Sequence, residues 1–131
     1  MHGIGGNITA EFKINLPTKN EIGENIASWV SIQSLNGWLD YLSGETSRSN
    51  YNAKIEESTH IFVCDYVDLD PRIETEKVIM VINNKTYDVT LIDNPMGLNA
   101  QLEIYLKYVG GQIWVVEIYP LKIILSELKK F

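Results

Sequence analysis

Between residues 7 and 16 apolar and polar side chains alternate without a break. Ile8, Ala10, Phe12, Ile14 and Leu16 fall on one side, and Thr9, Glu11, Lys13 and Asn15 on the other. Successive side chains of a strand leave opposite faces, so this period of two predicts a strand with one buried face. Pro17 has no amide hydrogen to give a ladder and ends it. Residues 18–25 are polar and contain Gly23, which predicts a loop. Trp29, Val30 and Ile32 predict a second strand over 27–34. Asn36-Gly37 reads as a turn, and the apolar stretch 38–42 as a short third strand bracketed by glycines.

Residues 43–57 form the longest polar stretch of the chain and predict an exposed loop. Loops of this length in a compact domain often carry function. The β-branched and aromatic run 58–67 predicts a strand, and 68–71 a turn. Residues 77–82, Asn83-Asn84 and residues 85–92 make the clearest hairpin, because adjacent asparagines tolerate the positive φ of a type I′ turn. After a turn at 93–99, residues 100–109 place Leu102, Ile104, Leu106 and Tyr108 on one face of a further strand. Residues 112–119 predict another strand, and Leu121, Ile124, Leu125 and Leu128 after Pro120 the face of a short helix.

The whole of 1–131 therefore predicts one all-β domain. It would be a small meander β-barrel or sandwich of about six to seven strands with a short C-terminal helix. Its core is expected to contain Ile8, Phe12, Ile14, Phe62, Val81, Val89, Leu102 and Ile104.

An apolar fraction of 45% supplies one sizeable core in a chain of 131 residues. The net charge of −6, with only Arg48 and Arg72 as arginines, argues against a site that grips the phosphate backbone of DNA. An acidic body beside DNA repels it instead. No apolar run approaches the roughly 20 residues that span a bilayer, and the first residues lack the order of a signal peptide. A cytosolic protein with no membrane contact is expected.

Chemistry-bearing motifs are sparse. Cys64 is the sole cysteine, which excludes an intramolecular disulfide and a Cys-based zinc site. His60 and Cys64 share a strand face but sit too far apart to chelate one ion, and read as core or interface positions. Asp65, Asp68 and Asp70 gather near a turn without the glycine and terminal glutamate of a calcium loop, so backbone bonding explains them. The glycines at 3, 5 and 6 precede a strand, the wrong order for a dinucleotide fingerprint. No nucleophile elbow or phosphate loop occurs. The chain is expected to be neither an enzyme nor a cofactor carrier. Trp29, Trp38 and Tyr41 could form a stacking platform, which leaves a nucleic-acid- or carbohydrate-binding module as the alternative.

In order, the segments WVSIQSLNGWLDYLSGE, NAKIEESTHIFVCDY, KVIMVINNKTYDVTLIDN and QLEIYLKYVGG resemble the head-closure (head–tail joining, or stopper) proteins of long-tailed bacteriophages and prophages. The resemblance spans about residues 7–111, and 112–131 extend past where such chains usually end. Asn84 stands where many relatives have glycine, so a wider or strained turn is expected there. The resemblance implies a small β-barrel that docks as a homo-oligomeric ring below the portal and adaptor, closes the DNA-filled head and joins the tail-completion proteins. It would be made in the host cytoplasm and end at the virion head–tail junction, close to DNA without gripping it. The family's channel loop corresponds to 43–57, which makes Ser43, Gly44, Glu45, Arg48, Tyr51, Lys54, Glu56 and Glu57 the candidate plug residues.

Overall fold

The computed structural model describes residues 3–42 and 57–110. The expected strand 112–119, the short helix after it and most of the 43–57 loop lie outside these residues. Among the described residues the chain forms eight strands, six of which close into an antiparallel barrel in the order β1-β4-β5-β8-β7-β6. These are β1 (Ile8–Asn15), β4 (Trp29–Tyr41), β5 (His60–Asp65), β6 (Val78–Ile82), β7 (Lys85–Asp93) and β8 (Gln101–Gly110). Two meanders, β1-β4-β5 and β6-β7-β8, are stitched together by the β5–β8 pairing on one side and the β1–β6 pairing on the other. Closure leaves no barrel edge open to another strand.

The alternation over 7–16 does what its period demands. Ala10 and Phe12 are fully buried, Ile8 and Ile14 pack against the core, and Leu16 is exposed just past the strand end. The polar stretch after Pro17 is more ordered than a plain loop. Thr18–Lys19 (β2) pairs with Asn25–Ile26 (β3), and the Asn20 carboxamide accepts from the amides of Ile22 and Glu24.

Residues 29–41 correct the reading of a turn at Asn36-Gly37, for they form one continuous 13-residue strand. Gly37 is extended and buried, paired with Ile8 on one side and Cys64 on the other. A Cβ built there would collide with the Val63 backbone carbonyl and would lie 2.8 Å from the Phe62 ring and 2.9 Å from the Cys64 Cβ. The glycine thus makes room for the close approach of the β5 backbone and the Phe62 ring and does not bend the chain.

The hairpin forms as expected. Asn83 and Asn84 both take positive φ, 51° and 66°, and Ile82 pairs directly with Lys85. The turn is therefore tight and does not widen for want of glycine. A single 3-10 turn, Pro95–Gly97, links β7 to β8.

Phe12, Phe62, Met80, Ile104 and Leu106 fill the barrel with no exposed surface. Val89 and Leu102 are buried beside them, as expected. Val81 is the exception among the expected core residues. Val78, Met80 and Ile82 point inward, while Val81 pairs with outward-facing Glu11 and is only half-buried. Every residue of β6 is apolar, so its facing cannot be read from alternation. The pairing of Phe12 with Met80 and Ala10 with Ile82 decides it.

Candidate assembly surfaces

With the interior packed solid, the chemistry available to partners lies on the outside and at the barrel ends. Of the candidate plug residues, Ser43, Gly44, Glu45, Arg48, Tyr51, Lys54 and Glu56 lie outside the described residues. Glu57 is described and exposed, at the edge of a cleft. The two roots of that loop are fastened side by side. The Leu42 amide donates to the Thr59 carbonyl at 2.8 Å, and the Thr59 amide to the Leu106 carbonyl at 2.7 Å. The Thr59 hydroxyl accepts from the Tyr108 amide at 2.8 Å, and Ser58 and Thr90 hydroxyls meet at 2.6 Å.

Beside these roots, where β4 stops and β5 begins, four aromatic rings cover the barrel end. His60 stands edge-on to Tyr41 at 5.4 Å and to Tyr87 at 5.2 Å, and Tyr87 meets Tyr108 at 5.5 Å. Such edge-to-face contacts set the positive rim of one ring against the negative face of the next. Burial lowers the His60 pKa, because the imidazolium would lose water there. Tyr41 and Tyr108 remain largely exposed at this end.

Trp29, Trp38 and Tyr41 do not form one platform. Trp38 and Tyr41 are three residues apart on the same strand and so leave opposite faces. The Trp38 indole donates to the Ile4 carbonyl at 3.0 Å. Trp29 lies nine residues before Trp38, about 30 Å along an extended strand.

The acidic turn after β5 is engaged with donors of its own chain. Asp65 accepts from the Ile4 amide at 2.7 Å and the Gly5 amide at 3.2 Å. Asp68 accepts from the Tyr66 hydroxyl at 2.9 Å. Asp70 takes a two-pronged contact from the Arg72 guanidinium at 3.0 and 2.9 Å and a third bond from the Arg72 amide. These bonds hold the Asp70 carboxyl at about 2. Gln33 clamps the same turn, donating to the Asp68 carbonyl and accepting from the Asp70 amide at 2.7 Å. Cys64 is buried, and burial together with the Asp65 charge pushes its thiol up to about 11. Among the described residues no three His, Cys, Asp or Glu side chains gather closely enough to hold a metal ion. No helix among them is long and apolar enough to cross a membrane.

The outer surface of the barrel carries an unexpected apolar signal. On β5, Phe62 and Cys64 point inward while Ile61 and Val63 lie on the outer face. Across the sheet Ile61 pairs with Tyr105, which pairs with Leu91, and Val63 pairs with Trp38. On β6, Ile79 and Val81 take the outer positions, but Ile79 is itself buried and Val81 is half-buried. Ile79 lines a cleft of about 550 Å³ together with Trp29, Thr86, Asp88, Lys107 and Val109. The trace of these faces in the sequence is the absence of alternation in HIFVC and VIMVI, since strands apolar at every position are covered on both sides.

No family model matches the chain, and no curated protein does. Among solved structures, protein SF1141 from Shigella flexneri 2a superposes with a TM-score of 0.59 at 13% identity, covering 82% of this chain and 96% of that one. A chain of the virion of a native gene transfer agent particle reaches a TM-score of 0.44 at 10% identity, covering 79% and 94%. The first is a likeness of fold; the second is too distant to add to it.

Proposed function

We propose that this protein is a structural component of a phage-type head–tail connector, acting as a ring of identical copies that closes the head and joins the tail. The observation that carries this reading is where the apolar surface lies. Phe12, Phe62, Met80, Ile104 and Leu106 fill the barrel, while exposed Trp38 and half-buried Ile61, Val63, Tyr105 and Leu91 lie on its outside across β4, β5, β8 and β7. A filled barrel with apolar side chains on its outside suits an assembly part better than a ligand container. The ordered resemblance over residues 7–111 supports the head–tail position, and the charge of −6 suits a wall along which DNA must slide without adhering. The 43–57 loop is the channel plug in this reading, held at its base by the Leu42–Thr59–Leu106 bonds. The protein performs no catalysis and carries no cofactor. Its partners are the portal or adaptor above and tail-completion proteins below.

Deleting the gene from an inducible prophage tests this. The expected result is filled heads that lose DNA and carry no tails, with the protein found at the head–tail junction of wild-type particles. Normal tailed particles from the deletion strain would overturn the reading.

A further inference from the structure

We propose that Asp65, Trp38 and Gly37 form a binding site for the main chain of a glycine-rich peptide, and that residues 3–6 fill it as a releasable latch. The inference goes beyond the assembly reading and does not depend on it. The glycines ahead of β1 take no part in the barrel or in the connector proposal, yet each has a use here. The Ile4 and Gly5 amides donate to the two oxygens of the Asp65 carboxylate at 2.7 and 3.2 Å. The Ile4 carbonyl accepts from the Trp38 indole at 3.0 Å, and the Asn7 amide donates to the Gly37 carbonyl at 3.1 Å. None of these bonds uses a side chain of residues 3–7, so the site reads backbone. Two consecutive amides converging on one carboxylate form a main-chain anion nest. Among the described residues no lysine or arginine forms an ion pair with Asp65.

The site also selects glycine at three positions, each for its own reason. A Cβ at Gly3 would strike the Asp65 carboxylate, 2.7 Å from its carbon. One at Gly6 would strike the backbone of Gly37, 2.6 Å from its carbonyl carbon. Gly5 has open space around it but takes a φ of 68°, a left-handed conformation that glycine adopts without a steric cost. Ile4 is the one position free to vary.

The hold is shallow. Residues 3–7 are all exposed, and glycines lose the most chain entropy on ordering. A segment held in this way opens locally while the barrel stays folded. When it lifts, the Asp65 carboxylate and the Trp38 indole N–H are offered to another segment of the same chemistry. The ligand class is therefore a glycine-rich stretch of a partner protein, taken up by exchange with residues 3–6.

The test uses the full chain. Gly6→Ala should unseat the latch and leave the melting temperature at the wild-type value. Proton exchange at the Trp38 indole, followed by heteronuclear NMR, should become about tenfold faster. The amidated peptide MHGIGG, added at the roughly millimolar level that a short tether supplies, should restore slow exchange. The same peptide ending in alanine should not, and Asp65→Ala in the same chain should abolish the rescue. If Gly6→Ala lowers the melting temperature, Gly3→Ala, farther from β1, takes its place with the same expectations. Unchanged indole exchange in both glycine variants would overturn the latch. Failure of MHGIGG to restore slow exchange, or equal rescue by the alanine peptide, would overturn the binding site.

Discussion

Any side chain at Gly37 would collide with the backbone carbonyl of Val63 on the facing strand, and the tip of the Phe62 ring lies 2.8 Å from where its Cβ would stand. β4 thus passes close against β5 while running straight through an Asn-Gly pair. Gly37→Ala should destabilise the fold by about 1–3 kcal/mol through overpacking. Adding Phe62→Leu should recover only a small part of that cost, since the Val63 backbone carbonyl stays in the way. Urea denaturation of the four proteins measures this, and nearly full recovery in the double variant would show that the ring, and not the backbone, sets the limit.

Side-chain facing along the strands can be tested by contrast. Phe12→Ala, in the fully buried core, should cost about 3–5 kcal/mol. Val81→Ala, on the outer face, should cost under about 1 kcal/mol in the isolated protein. Equal losses in thermal melts would mean that β6 is registered the other way.

The Asp70–Arg72 pair makes a prediction about acid. Asp70 is held at about 2 against an ordinary value of 3.8, chiefly by hydrogen bonds from the Arg72 side chain and then its amide. A lowered folded-state pKa stabilises the fold above the ordinary value, and that contribution is lost as pH falls from about 4 through about 2. Carboxyl NMR titration should find Asp70 near 2 in the wild type and closer to its ordinary value in Arg72→Ala. The pair is exposed, so the effect on overall stability should be small. An Asp70 titration unmoved by Arg72→Ala would contradict the pairing.

Duplex DNA should bind the isolated protein weakly or not at all at physiological salt, given the net charge of −6. Fluorescence anisotropy with a labelled duplex measures this. Sub-micromolar affinity that falls steeply with added salt would favour the nucleic-acid-binding alternative.

Replacing residues 43–56 by a short linker should leave the melting temperature close to wild type, because the bonds joining Leu42, Thr59 and Leu106 remain. In tail-less heads the shortened protein should let packaged DNA escape. Heads that assemble with it and still retain their DNA would make the domain a passive spacer.

Local pattern carried much of this molecule. The alternation over 7–16, the adjacent asparagines at 83 and 84 and the alternation in β8 each mark an element through interactions between near neighbours in the chain, and each appears where expected. Facing and closure were not legible in this way. The strand VIMVI is apolar at every position, so its inner residues are chosen by pairing with β1, more than 60 residues earlier. Asn36-Gly37 looks like a turn to any local rule, yet it runs straight because Gly37 is paired on both sides, with Ile8 of β1 and with Cys64 of β5, 27 residues later. The placing of β5 opposite β6 likewise follows from the β5–β8 and β1–β6 pairings that close the barrel. Period and turn chemistry act over a few residues, whereas register and packing are settled between segments that meet only once the chain has folded.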